Sequence, residues 1–125
     1  MGTRSRIIIV RPKSQSIYLW QPYDGYFKGG VGEELCVQLR ILLKKYTSQG
    51  LRQMSEQIKQ GSEIFINTDM IIGIFENEFS VQFDECGDVE YEYKVDLINE
   101  ILTITNKGGK KSKSKVLTFH DIIHG

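Results

Sequence analysis

A chain of 125 residues with 16 Lys/Arg balancing 16 Asp/Glu has room for one domain spanning 1–125, whose folding removes about two thirds of the unfolded surface from water. Two cysteines, Cys36 and Cys86, cannot build a disulfide framework, and no apolar run reaches the length of a membrane helix or a signal-peptide core. These features read as a cytoplasmic protein with reduced thiols and no membrane partner; the opening Met1-Gly2 lacks the Ser or Thr at position six that myristoylation wants, since Arg6 stands there.

The first predicted element covers residues 6–11, where Ile7, Ile8, Ile9 and Val10 form a β-branched run closed by Pro12. Residues 17–20 read as its hairpin partner, ended by Pro22 and by the Asp24-Gly25 turn. Leu35, Leu39, Leu42 and Tyr46, with Cys36 and Leu43 beside them, recur at helical spacing over residues 33–48. Gly50 is expected to interrupt that helix, and Leu51, Met54 and Ile58 to continue the period in a shorter one ending near Gly61.

The period then changes. Residues 64–75 read as strand and loop, while Phe79, Val81 and Phe83, and later Val89, Tyr91, Tyr93 and Val95, alternate with polar residues as half-buried strands do. A turn over 96–100 returns the chain into a strand carrying Leu102 and Ile104. Residues 107–115 contain only Lys, Gly and Ser and read as a flexible solvated loop, after which 116–119 supply a last strand. The expected architecture is α+β, a mostly antiparallel sheet with one or two helices packed on one face.

Charge is segregated along the chain. Residues 1–60 carry ten Lys/Arg against four Asp/Glu, residues 61–105 carry Lys94 against eleven acids, and residues 106–125 carry five lysines against Asp121. Either these segments neutralise one another within the fold or between copies, or the basic part forms a face that attracts phosphates. Alternating Tyr and Val on the acidic strand also suggests self-pairing into a homo-oligomer.

Met1-Gly2-Thr3-Arg4-Ser5 ahead of a strand, then Tyr23-Asp24-Gly25-Tyr26 and glycines before a Leu-rich helix, resembles a family of short uncharacterised proteins from phages, prophages and large DNA viruses. Many of that family also end in a strand pair like the one over 91–105. Where the family often has Cys-His-Trp before the Asp, this chain has Gln21-Pro22-Tyr23, which removes thiol and imidazole chemistry from the box. The resemblance implies a viral or mobile-element setting, and brings no activity with it.

Chemistry-bearing residues concentrate between positions 20 and 34. Trp20, Tyr23 and Tyr26 offer flat faces for stacking a base, and Asp24 offers acceptors for its edge or a ribose. Arg4, flanked by Thr3 and Ser5 at the start of the neighbouring strand, would clamp a phosphate, or else pair with Asp24. Lys28, Gly29 and Gly30 precede a helix whose first N–H groups are suited to an anion, although Glu33 and Glu34 already answer its dipole. Asp24-Gly25 is equally the signature of a plain turn.

His120 and His124 have no Glu at metal-site spacing and the cysteines form no Cys-x-x-Cys, so neither a metal nor a cofactor nor a catalytic residue is expected. The leading expectation is a non-enzymatic protein that binds a nucleotide or other phosphate-bearing ligand, in a viral setting by sequestering a host signalling nucleotide and so antagonising defence. Two alternatives stand beside it: an inhibitor or adaptor acting on a host protein, and a metal-dependent phosphoesterase centred on Asp24 and Glu33.

Overall fold

A computed structural model describes residues 3–13, 15–21, 24–56, 80–82, 88–108 and 113–125. Among the described residues, six strands, β1 (Ser5–Val10), β2 (Ile17–Gln21), β3 (Ser80–Gln82), β4 (Tyr91–Asp96), β5 (Ile101–Asn106) and β6 (Lys113–Thr118), form one sheet in the order β3-β2-β1-β4-β5-β6. All neighbours are antiparallel except β1 and β4. The isoleucine run of β1 is explained by that central place: Ile7 and Ile9 are buried on one face, and Ile8 is buried on the other.

Three helices among the described residues, α1 (Val31–Lys45), α2 (Ser48–Ser55) and α3 (Phe119–His124), lie over one face of the sheet. Their Leu35, Leu39, Leu42, Leu51, Phe119 and Ile122 share one core with Ile7, Ile9, Leu19, Tyr93, Val95 and Leu102 of the strands. The expected α+β architecture, with helices on a single face, is therefore the one observed.

Several boundaries differ from expectation. The break between the first two helices falls at Tyr46 and Thr47 rather than at Gly50. Tyr46 N–H closes the last turn of α1 on the Leu42 carbonyl, and Thr47 Oγ1 accepts from Gly50 N–H at 3.0 Å, so a side-chain cap restarts the helix and Gly50 sits inside it. The lysine-rich stretch is not all loop, because Lys113 and Lys115 belong to β6, and Phe119 opens α3 instead of closing a strand. A capping box sets that start: Thr118 Oγ1 accepts from Asp121 N–H, while the Asp121 carboxylate accepts from Thr118 N–H. The acidic strand cannot pair with a second copy, since β4 is bonded on both edges, to β1 and to β5.

Residues 57–79 and 83–87, and with them the expected end of the second helix, the reading of 64–75, Phe79, Phe83 and Cys86, lie outside the described residues, as do Pro22, Tyr23 and 109–112.

Candidate functional site

Asp24-Gly25-Tyr26 is bound into the fold by its backbone. Gly25 N–H donates to the Thr3 carbonyl at 2.9 Å, and the buried Tyr93 hydroxyl donates to the Gly25 carbonyl at 2.6 Å. The carbonyls of the box then receive the start of α1. Val31 N–H donates to Asp24 at 2.8 Å, Gly32 N–H to Tyr26 at 3.3 Å and Glu33 N–H to Phe27 at 2.9 Å. These are the N–H groups an anion at α1 would need, and the chain uses them itself. Where an anion cradle at Lys28, Gly29 and Gly30 was expected, the backbone itself caps these N–H groups. Gly30 is required because a Cβ there would lie 2.4 Å from the Tyr26 carbonyl oxygen, and Gly29 because its φ is +74°.

What stays accessible at this rim is Asp24, at φ 54°, with the exposed Tyr26 hydroxyl donating to its Oδ1 at 3.2 Å, and Lys28. That hydrogen bond holds the Tyr26 phenol above its ordinary range.

Arg4 takes Glu90, not Asp24, as its partner. Its backbone N–H and guanidinium both reach that carboxylate, at 2.8 Å to Oε2 and 3.1 Å to Oε1. The hydrogen bonds from Arg4 hold Glu90 below the usual carboxylate range, and the same contact raises Arg4. One pleat along, Arg6 meets Glu92 at 3.3 Å, and Lys107 reaches the same oxygen at 3.0 Å. The parallel register that sets Arg6 beside Glu92 makes these pairs, so the basic start of the chain is neutralised by the acidic strand within one fold.

The remaining rim residues separate. Trp20 stands opposite Arg6 in the antiparallel register, on the sheet face away from the helices, whereas Asp24 to Lys28 crown the start of α1 on the helix side. Thr3 contributes its carbonyl to Gly25. Ser5 is fully buried and its hydroxyl has no hydrogen-bond partner among the described residues, which removes it from any exposed binding surface. Ser5→Ala is accordingly expected to leave the melting temperature unchanged or slightly raised, because it deletes a desolvated hydroxyl with little volume; thermal denaturation would read this.

A recess does exist, at the opposite end of β1. Pro12, Lys13, Gln49, Arg52, Gln53 and Glu56 line a cleft of about 430 Å³ between the end of β1 and α2. Behind it, the buried Arg11 ties strand to helix, donating to the Gln15 carbonyl at 2.7 Å and the Ser55 carbonyl at 2.9 Å. Arg52 spends one donor on the Leu97 carbonyl at 3.1 Å, and Lys13 N–H donates to Glu56 Oε1 at 2.9 Å. The sequence did hold a trace of this site: Gln49, Arg52, Gln53 and Glu56 repeat at i, i+3, i+4 and i+7, one polar helix face.

Among the described residues no three His, Cys, Asp or Glu converge to hold a metal ion, and no helix is long and apolar enough to cross a membrane. Cys36 is half-buried, and burial pushes its thiol up, away from thiolate chemistry. His120 and His124 face each other across one turn of α3, their ring centroids 4.4 Å apart.

No protein-family model matches this chain, and comparisons with curated proteins and with solved structures return no match.

Proposed function

We propose that this is a small non-enzymatic binding protein that takes a phosphate-bearing ligand, of nucleotide size, in the cleft between β1 and α2. The observation that carries the reading is the lining itself: a recess of about 430 Å³, the scale of small-molecule sites, with Lys13, Arg52, Gln49 and Gln53 among the residues that line it. An Arg with one donor on a carbonyl has four N–H groups left to offer, and its planar fork matches phosphate oxygens. Glu56 on the cleft wall, its Oε1 already accepting from Lys13 N–H, disfavours a phosphate at that end of the recess. The first-turn donors of α1 are already paired and Arg4 is held by Glu90, so the rim around Asp24 is the weaker location. The likeness of the opening segment to phage and large-virus proteins adds a setting in which such a protein would withhold a host signalling nucleotide.

Calorimetry and thermal shift against inorganic phosphate and mono-, di- and cyclic dinucleotides test this. A ligand at a hundred times its Kd stabilises by about 2.7 kcal/mol. Lys13→Glu with Arg52→Gln should abolish that stabilisation, while Arg4→Ala with Tyr26→Ala should preserve it. Loss confined to the rim variant would return the site to Asp24, and silence across the panel with capture of a host protein would favour an inhibitor or adaptor.

A further inference from the structure

The outer face of α1 carries two apolar side chains that the core does not use. Val37 and Ile41, one turn apart, are 44% and 53% exposed, whereas Leu35, Leu39, Leu42 and Leu43 of the same helix are buried. Both ends of this ridge are charged and exposed: Glu33 and Glu34 in the first turn, Lys44 and Lys45 in the last. The charges lie symmetrically about the midpoint of the ridge. Residue 39 is five to six positions from either pair, about 8 Å along the axis.

We propose that α1 is the interface of a homodimer in which two copies of the helix pack antiparallel across a two-fold axis passing near Leu39. The helical period puts Glu34 and Lys45 on one side of the Val37–Ile41 ridge and Glu33 and Lys44 on the other. A two-fold axis across an antiparallel pair keeps each side facing itself and exchanges the ends. Glu34 of one copy therefore meets Lys45 of the second, Glu33 meets Lys44, and Val37 interleaves with Ile41 in the middle. A parallel pair would instead set carboxylate against carboxylate and ammonium against ammonium. The pattern is thus complementary to itself in one orientation, as an isologous contact requires.

The existing contacts leave this geometry open. Glu34 Oε1 accepts from Gln38 at 2.9 Å on the exposed surface, and Lys45 Nζ sits 5.2 Å from the centre of the Tyr46 ring. Arg40 is turned the other way, donating to the carbonyls of Ile122 and Gly125 and so bracing α1 against α3. The edge strand β6 is a poorer route to pairing, because Lys113 and Lys115 place like charges along it. A single 15-residue helix pair is a small contact, so the dimer is expected to be weak and in rapid exchange.

Sedimentation equilibrium on the full chain is the test, with circular dichroism confirming that each variant is folded. The wild type should pass from monomer to dimer as concentration rises, and Val37→Ser with Ile41→Ser, both at the surface, should weaken association at least about tenfold. The decisive arm uses two charge variants. Lys44→Glu with Lys45→Glu gives an all-acidic α1, and Glu33→Lys with Glu34→Lys gives an all-basic one. Each should be monomeric alone, and the two should dimerise when mixed, because both ends of the contact then carry opposite charges. A wild type that stays monomeric throughout, as it would if a different protein covers this face, overturns the proposal. So does a dimer that ignores the serine pair or the charge reversals.

Discussion

Gly25→Ala should lower stability by about 3 kcal/mol and the melting temperature by roughly 10 °C, more than the replacement of Gly29 in the same turn. A Cβ on Gly25 would lie 2.6 Å from the Ser5 Cβ, 2.8 Å from the Arg4 carbonyl carbon and 2.8 Å from the Thr3 carbonyl oxygen. Backbone on both sides has to move. The movement breaks the Gly25 to Thr3 hydrogen bond, tilts the Asp24 and Tyr26 carbonyls that cap α1, and pulls on the Tyr93 hydroxyl. Gly29→Ala supplies the contrast: nothing lies within 4 Å of its would-be Cβ, so it pays only for its positive φ, about 1 to 2 kcal/mol. Thermal and urea denaturation of the two variants separates the cases. Equal losses would mean that β1 yields to a Cβ at Gly25 and that the close approach is not what demands glycine there.

How legible was this in the sequence? The elements with strong local patterns were: the isoleucine run of β1, the leucine face of α1, and the alternation in β4 and β5 are written over a few adjacent residues. What could not be read is pairing between distant segments. That Arg4 meets Glu90 depends on a parallel register across more than eighty residues, and periodicity within either strand carries no information about it. A last strand was legible from Val116 onward, but the first half of β6 was hidden because its lysines and serines look solvated; as an edge strand it keeps most of its side chains in water and is held mainly by the β5 ladder. The glycines ahead of α1 were ambiguous for a related reason. Glycine signals that something comes close, and here the visitor is the chain's own backbone at Thr3, Asp24 and Tyr26. A glycine admitting a phosphate and one admitting a neighbouring strand have the same signature, whereas the cleft needed Lys13 and Arg52 to be brought together from opposite ends of a strand–helix unit.

Tyr93→Phe should cost about 1 to 3 kcal/mol at neutral pH and lose that penalty in alkali. The ring is fully buried against the helix layer, and its hydroxyl is the donor to the Gly25 carbonyl; deleting it leaves an acceptor without its partner in a site closed to water. Burial, reinforced by Tyr91 and Cys36, also raises the Tyr93 phenol far above its ordinary value. An unfolded tyrosine ionises near pH 10, so above that the unfolded chain releases this proton while the folded chain retains it. The contribution is fully present below about pH 10 and is lost as pH rises toward the folded value, with a slope approaching about 1.4 kcal/mol per pH unit. Phenylalanine has no such proton. Urea denaturation of both proteins between pH 7 and 11 should therefore show the wild-type advantage shrinking above pH 10, the remaining tyrosines cancelling because both chains carry them. Parallel pH profiles would place the Tyr93 hydroxyl in contact with solvent and detach it from the turn that starts α1.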